Sequence, residues 1–241
     1  MNADTTVAQK SNAERKSIRA ERLKLLRRNK AFLVGAFILG FWLLIAAFGS
    51  LIAPYAYDAM DFAAVSKKPS GTYWLGTNKL GQDVFSRILA GTQLIVWMSF
   101  TATALGTIVG GSLGLAAGYF KGWFDIILMR LLEAISAIPV LIVALLAIAA
   151  LDGQSSGITV GVIGFVFAPN IARTVRAAVL SESELEYVAA ARLRAERTPH
   201  ILFREILPNV LPPIIVEFTV RLGYAIFAIA TLSFLGAGVE A

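Results

Sequence analysis

Five stretches of the 241-residue chain carry no charged side chain: Ala31–Ala53, Ile88–Phe120, Ala134–Leu151, Gly153–Ala172 and Leu222–Val239, the last preceded by the apolar run Ile206–Val216. A bilayer's hydrocarbon core is about 30 Å thick, takes about 20 helical residues to cross, and admits only backbones that satisfy their own hydrogen bonds. Each stretch therefore has room for one span, and the 33-residue second stretch has room for a span plus an interfacial segment. The expected fold is an all-α integral membrane protein, a polytopic bundle of about five transmembrane helices. Composition agrees: 57% of residues are hydrophobic, 16% are charged and the mean hydropathy is +0.70, which excludes a soluble enzyme. Cysteine is absent and His200 is the single histidine, so thiolate chemistry and multi-histidine metal clusters are excluded and no metal ligand set is expected.

The net charge of +6 is concentrated at one end. Residues 1–30 hold nine Lys/Arg against three Asp/Glu, and the rest of the chain holds thirteen of each. A polybasic tail abutting a span reads as cytoplasmic anchoring against anionic lipid, and without interleaved aromatic platforms it does not read as a nucleic-acid surface. The first stretch is too long for a signal-peptide core and is expected to stay as an anchor. With the N-terminus inside, 17 basic residues face the cytoplasm and four, all within Tyr55–Arg87, face out. Residues 1–30 are thus expected to be a basic cytoplasmic tail and residues 31–241 a transmembrane domain, with the C-terminus on the far side.

Within the second stretch Ala102, Gly106, Gly110, Gly114 and Gly118 place small residues at every fourth position, a ridge that lets another helix approach closely, either in the chain's own bundle or in a second subunit. Pro139 and Pro169 are expected to kink the third and fourth spans. In Tyr73–Arg87, two glycines supply turns ahead of an amphipathic stretch with Val84, Phe85, Ile88 and Leu89 on one side and a pairing of Asp83 with Arg87 on the other, which predicts an interfacial helix.

Between the fourth and fifth spans lies Arg173–Leu207, too polar to cross and too well patterned for a linker. Ser181 and Glu184 suit a capping box that opens a helix through EYVAAARLRAE; Thr198 and Pro199 suit the N-cap and first turn of a second helix, ILFREIL, closed by Pro208. Two short helices joined by a turn near Arg197 would present Val188, Ala191, Ile201, Leu202 and Phe203 as apolar surface beside Arg192, Arg194, Arg197 and Arg204. A docking knob for a cytoplasmic partner needs that mixture.

The segment YVAAARLRAERTPHILFREILPN resembles the EAA coupling motif of ABC-importer permeases of the dipeptide, oligopeptide and nickel branch, through Tyr187, Val188, Ala190, Ala191, Arg192, Ile201, Phe203, Arg204, Ile206, Leu207, Pro208 and Asn209. Leu75, Gly76, Thr77, Gly81, Asp83, Ser86 and Arg87 are similar to the same branch's outer motif, as are AGYFKGWFDIILMRLLEAISAIP and LSFLGAG. The resemblance runs from about Phe32 to Val239. It implies a coupling loop at about 181–208, with Tyr187, Val188, Ala189, Ala190, Ala191, Arg192, Ala195, Ile201, Leu202, Phe203, Arg204, Leu207 and Pro208 meeting a cytoplasmic ATPase. Ala189 stands where that family usually has the motif glutamate and Ala195 where it has the inter-helix glycine; Asn78 and Gln82 replace an Asp and an Arg. Family members usually continue past LSFLGAG into a sixth span, so a truncated or divergent form is expected.

No lysine follows the G-x-x-x-x-G spacing that cradles nucleotide phosphates, so this chain is not expected to be an enzyme, and ATP and Mg would belong to a partner. The resemblance implies a second permease subunit, two ATPase subunits, an extracytoplasmic substrate-binding protein and the inner membrane of a prokaryote. With no Cys and no His pair in a span, direct nickel ligation is disfavoured, which leaves peptides or similar small solutes. The alternative, a secondary transporter or channel subunit without an ATPase, would want a charge-bearing pathway, and the spans hold few ionisable groups apart from Glu217 and Arg221. These two, one helical turn apart, are expected either to pair or to line the translocation pathway, where Arg221 would meet a substrate carboxylate.

Overall fold

The computed structural model describes residues 27–151 and 155–236, so most of the basic tail, residues 1–26, lies outside the described residues, as do 152–154 and 237–241. Seven helices account for most of the rest. Helix α1, Lys30–Ile52, starts where Asn29 accepts a hydrogen bond from the Phe32 amide at 3.2 Å. It is apolar on every side and almost wholly unburied; Phe37, Leu44 and Leu51 are exposed. Such a surface is tolerable only against lipid or another apolar chain.

Helix α2, Val84–Phe120, is continuous for 37 residues. No separate interfacial helix precedes it, a correction to the expectation for Tyr73–Arg87. Asp83 is the N-cap, accepting from the Ser86 amide at 2.8 Å and the Ser86 hydroxyl at 2.7 Å, so it is not paired with Arg87, which donates to Gln82 instead. The residues ahead of it fold into a compact cap. Asp61 caps a 3₁₀ turn at Phe62–Ala64 and accepts from the Tyr73 hydroxyl at 2.9 Å. Thr77 donates to the Ala64 carbonyl, and the Tyr55 amide donates to Ser86 Oγ at 3.2 Å. Gly81 has φ +75°, and its Cα lies so close to the Asp61 carbonyl that no side chain fits.

Helix α3, Gly122–Ser136, and helix α4, Val140–Ala150, are bent by 84° at Pro139, which lacks an amide to continue the ladder and disfavours helical backbone at Ile138. Helix α5, Ser156–Glu182, runs on through Pro169. Helix α6 is Glu186–Leu193. Helix α7, Thr198–Phe234, opens with one α-turn, widens to a π-helical stretch at Ile201–Ile206 and returns to α-helix from Leu207. Placed just before Pro208, the π stretch eases the clash of the proline ring with the preceding turn, and Asn209 Nδ2 bonds the Glu205 carbonyl at 2.9 Å.

The small-residue ridge answers its own question: it packs inside this subunit. A Cβ added to Gly106 would lie 2.7 Å from the Gly164 carbonyl oxygen, and those added to Gly110 and Gly114 would sit still closer to the carbonyls of Ala168 and Ala172. The contacts advance together along both helices, so α2 and α5 run parallel. Parallel neighbours require the chain between them to return the length of the bundle, which makes the bent pair α3–α4 one broken crossing. With the four helices long and apolar enough to span, α1, α2, α5 and α7, the count among the described residues is five. Helix α7 runs antiparallel to α5, with Asn209 near Tyr187 at one end and Glu217 near Thr174 further along. One side of the bundle carries the cap and the other the α6–α7 hairpin. The core between them holds Ile163, Phe167, Ile171, Val175, Ala225 and Ile229.

Candidate functional site

Helix α5 continues ten residues past the uncharged stretch, so Arg173 and Arg176 are helical and the polar hairpin starts only at Ser183. Ser181 lies inside that helix and forms no capping box with Glu184; α6 begins after Leu185 without a side-chain cap. Glu186 in its first turn and Arg192 in its last suit the helix dipole. At its end the Glu196 amide donates to Ala191 O at 3.2 Å and the Ala195 amide to Arg192 O at 3.0 Å. These two bonds form a Schellman motif, whose left-handed position falls to Ala195 at φ +55°. A glycine would be unstrained there; the alanine Cβ costs about 1 kcal/mol.

Two further expectations are corrected. Thr198 is the first helical residue of α7 and Arg197 the N-cap, while Pro208 closes nothing and lies within the continuing helix. Val188, Ala191, Ile201 and Leu202 are not surface: all four join the subunit's own core, together with Ile206. The buried side of α6 and the opening turns of α7 pack against each other, in the same core that holds Val175 and Val179 of α5. The outward faces carry Ala189, Arg192, Arg204 and Pro208, with Leu193 at 89% and Phe203 at 61% exposure; Tyr187, Ala190 and Leu207 are half-buried at the seam.

Tyr187 fastens the hairpin. Its hydroxyl donates to Glu182 Oε1 at 2.7 Å and accepts from Asn209 Nδ2 at 3.0 Å, joining α5, α6 and α7. Burial first, and then the hydrogen bond to Glu182, push the phenol up to about 12, so it is a neutral donor at ordinary pH. Two contacts tie α6 and its lead-in to the end of α2: Lys121 pairs with Glu184 at 3.3 Å, and the Arg192 guanidinium lies 5.2 Å from the centre of the Tyr119 ring. A bidentate pair between Arg176 and the buried Asp125 joins α5 to α3. Sequence reasoning missed Tyr119, Lys121, Asp125, Arg176 and Glu182, whose partners stand at no fixed sequence offset.

Glu196, His200 and Glu205 bring three ligand-type atoms within 4.8 Å of one another, the one such grouping among the described residues. Arg194 Nε already occupies Glu196 Oε1 at 2.7 Å, so a cation there would compete with a guanidinium.

The two charges of the last span meet. Arg221 Nε donates to Glu217 Oε1 at 2.6 Å, Thr174 Oγ1 donates to Glu217 Oε2 at 3.3 Å, and the guanidinium stacks 5.5 Å from the Tyr224 ring centre. Arg221 also borders a cleft of about 260 Å³ with Asn170, Pro139 and Phe227. The arrangement combines a satisfied half-buried pair with a polar spot on a cleft wall.

A family model described as binding-protein-dependent transport system inner membrane component matches residues 110–240, and one described as the N-terminal TM domain of oligopeptide transport permease C matches residues 19–69. The chain is 37% identical to the dipeptide transport system permease protein DppC of Alkalihalophilus pseudofirmus, covering 92% of this chain and 72% of that one. It is 36% identical to the glutathione transport system permease protein GsiD of Pectobacterium atrosepticum, covering 90% and 72%. Among solved structures, an inward-facing form of the MetNI methionine ABC transporter is similar at 22% identity and a TM-score of 0.48, covering 60% of this chain and 74% of that one.

Proposed function

Because the chain belongs to the family of binding-protein-dependent transport system inner membrane components, a family of permease subunits, we propose that it is a permease of an ATP-driven ABC importer that moves peptides or similar small solutes across the inner membrane of a prokaryote. In this reading the polybasic residues 1–30 and the α6–α7 hairpin face the cytoplasm, the cap faces out, and residues 31–241 form the permease domain with its coupling loop at about 181–208. The relatives named for dipeptide and glutathione transport support the peptide class.

One observation carries the proposal. The hairpin turns its large apolar residues inward and leaves Leu193, Phe203, Arg192 and Arg204 outward, a small mixed surface on a rigid knob. Ala189, Ala195 and Pro208 complete the outward side, and Tyr187, Ala190, Ala191, Val188, Ile201, Leu202 and Leu207 hold it in place from behind. A cytoplasmic ATPase binding ATP and Mg would seat this knob; a second permease subunit would complete the membrane pair, a second ATPase would serve it, and a binding protein would deliver solute to the cap side. Nucleotide-driven closure of the ATPases then shifts the balance between inward-open and outward-open bundles, and the chain itself does no chemistry on the solute. Rigid attachment matters here because a loose loop would absorb the stroke instead of transmitting it.

The test replaces outward residues, since Leu202→Asp would bury a charge and unfold the hairpin. Leu193→Asp with Phe203→Asp should abolish ATPase co-purification while the variant still inserts and pairs with the second permease. An unaltered complex with unaltered transport-coupled ATP hydrolysis overturns the assignment.

A further inference from the structure

A second cleft, about 780 Å³, opens on the cap side, between the cap, the first turns of α2 and the last turns of α7. Its floor is apolar, with Met98 and Ile229 among the lining residues, and its polar lining includes the donors Gln82 and Arg87 together with the carboxylate of Asp58. Arg87 Nη1 donates to Gln82 Oε1 at 2.6 Å, and Asn78 Nδ2 donates to the same oxygen at 2.8 Å. That oxygen is thereby saturated. Gln82 is 3% exposed, and among the described residues its amide NH₂ makes no hydrogen bond and neither do the other guanidinium N–H groups of Arg87. Asp83, the nearest acid along the chain, accepts from Ser86 through Oδ2 alone and leaves its buried Oδ1 without a hydrogen bond, and neither it nor Asp58, which borders the cleft, forms an ion pair with Arg87 within 4.0 Å.

A half-buried guanidinium with no carboxylate partner is costly unless something supplies the missing charge. The free edge of a guanidinium beside a free amide NH₂ matches a planar two-oxygen acceptor, and a carboxylate is the group with that shape and charge. A cleft of this volume accommodates a solute of dipeptide or tripeptide size, with an apolar floor for its side chains. We propose that this cleft receives the carboxylate end of the incoming solute, Arg87 and Gln82 holding its two oxygens. The proposal rests on the importer reading, which places the cleft on the side from which solute is delivered.

The chain has no cysteine, and Gly91 lines the cleft with open space where a Cβ would go, so Gly91→Cys gives one label site without strain. The assembled transporter carrying Gly91→Cys, in nanodiscs, is treated with an anionic sulfonatoethyl or a cationic trimethylammonioethyl methanethiosulfonate, and modification is read from the mass of this chain. The anionic reagent should react about tenfold faster relative to the cationic one than it does after Arg87→Gln. Dialanine, tested up to about 10 mM, a range suited to a weak site, should slow labelling in the Arg87 protein. Dialanine amide should not, and Arg87→Gln should remove the protection while Arg87→Lys keeps part of it. Equal protection by acid and amide, no protection by either, or protection that survives Arg87→Gln overturns the site. The importer reading is judged separately, by ATPase co-purification with the Leu193 and Phe203 variants, which this labelling does not measure.

Discussion

The Tyr187 hydroxyl lies 2.7 Å from Glu182 Oε1, a bond from the first turn of α6 back to the last turn of α5. Asn209 donates to the same hydroxyl from α7, so one phenol holds three helices at the base of the hairpin. Tyr187→Phe removes both bonds and leaves Glu182 without its donor. The variant complex should lose about 1–2 kcal/mol of stability, and hydrogen exchange should accelerate across residues 186–209 and not across α1.

The same bond has a pH signature. A phenol raised to about 12 in the folded protein, from an ordinary 10, stabilises the fold fully below pH 10, and that contribution fades as pH rises from 10 through 12. Absorbance titration of the phenolates should show a late-ionising component, to which Tyr73, held by Asp61, also contributes, and Tyr187→Phe should remove one phenol from it. Ionisation of Tyr187 near pH 10 would contradict the buried hydrogen-bonded geometry.

Ala195 holds the left-handed corner of the Schellman motif with a Cβ in the way. Ala195→Gly should stabilise the complex by up to about 0.5 kcal/mol, once the extra chain entropy of glycine is subtracted from the relieved strain, and Ala195→Val should destabilise it by more, both read from the melting temperature. A Gly variant less stable than the parent would show that the corner is not strained.

Neighbouring glycines on α2 give a matched pair. Gly110 abuts the Ala168 carbonyl, and Gly111 has nothing within 4 Å of a new Cβ. Gly110→Ala should destabilise the bundle by about 2 kcal/mol or more, read as loss of folded protein after mild heating. Gly111→Ala should be neutral or slightly stabilising, and equal behaviour of the two would refute the α2–α5 seam.

Glu217 and Arg221 call for three variants. Arg221→Gln strands a carboxylate at partial burial and should cost about 2–3 kcal/mol, whereas Glu217→Gln combined with Arg221→Gln should recover much of it. Assembled complex yield measures this. If the single change leaves yield intact and uptake of anionic solute is lost, Arg221 acts on the cleft it borders and not as a structural partner.

The spans were legible because the absence of charge over about 20 residues has one physical solution in lipid. Pro139 announced the break between α3 and α4 for an equally local reason. The end of α5 was misplaced because Arg173 and Arg176 end an uncharged window without ending a helix: Arg176 is held by Asp125, 51 positions away, and Arg173 by Asn170 at 2.9 Å. The hairpin was found with Phe203 and its arginines outward as expected, but Val188, Ala191, Ile201 and Leu202 were placed on the surface and are buried. Spacing shows that Val188 and Ala191 share a face; only the way α6 folds back on the opening of α7 determines that they are covered together with Ile201 and Leu202. Asn78 and Gln82, conspicuous as departures from a resembling motif, proved to be joined through one amide oxygen beside Arg87.

At Gly106 and Gly110 the seam between α2 and α5 brings backbone against backbone, with no side chain between. Side chains are what allow packed helices to slip, because they change rotamer as one surface moves over another. Where carbonyls sit directly over glycines there is no such slack, so the two helices must tilt as one beam. Helix α2 has 37 residues, which makes that beam about 55 Å long. Lys121 and Arg192 load it at one end and the Arg87 cleft lies at the other. A small push on the hairpin is therefore geared directly into a displacement at the far mouth, without a soft element in between to dissipate it.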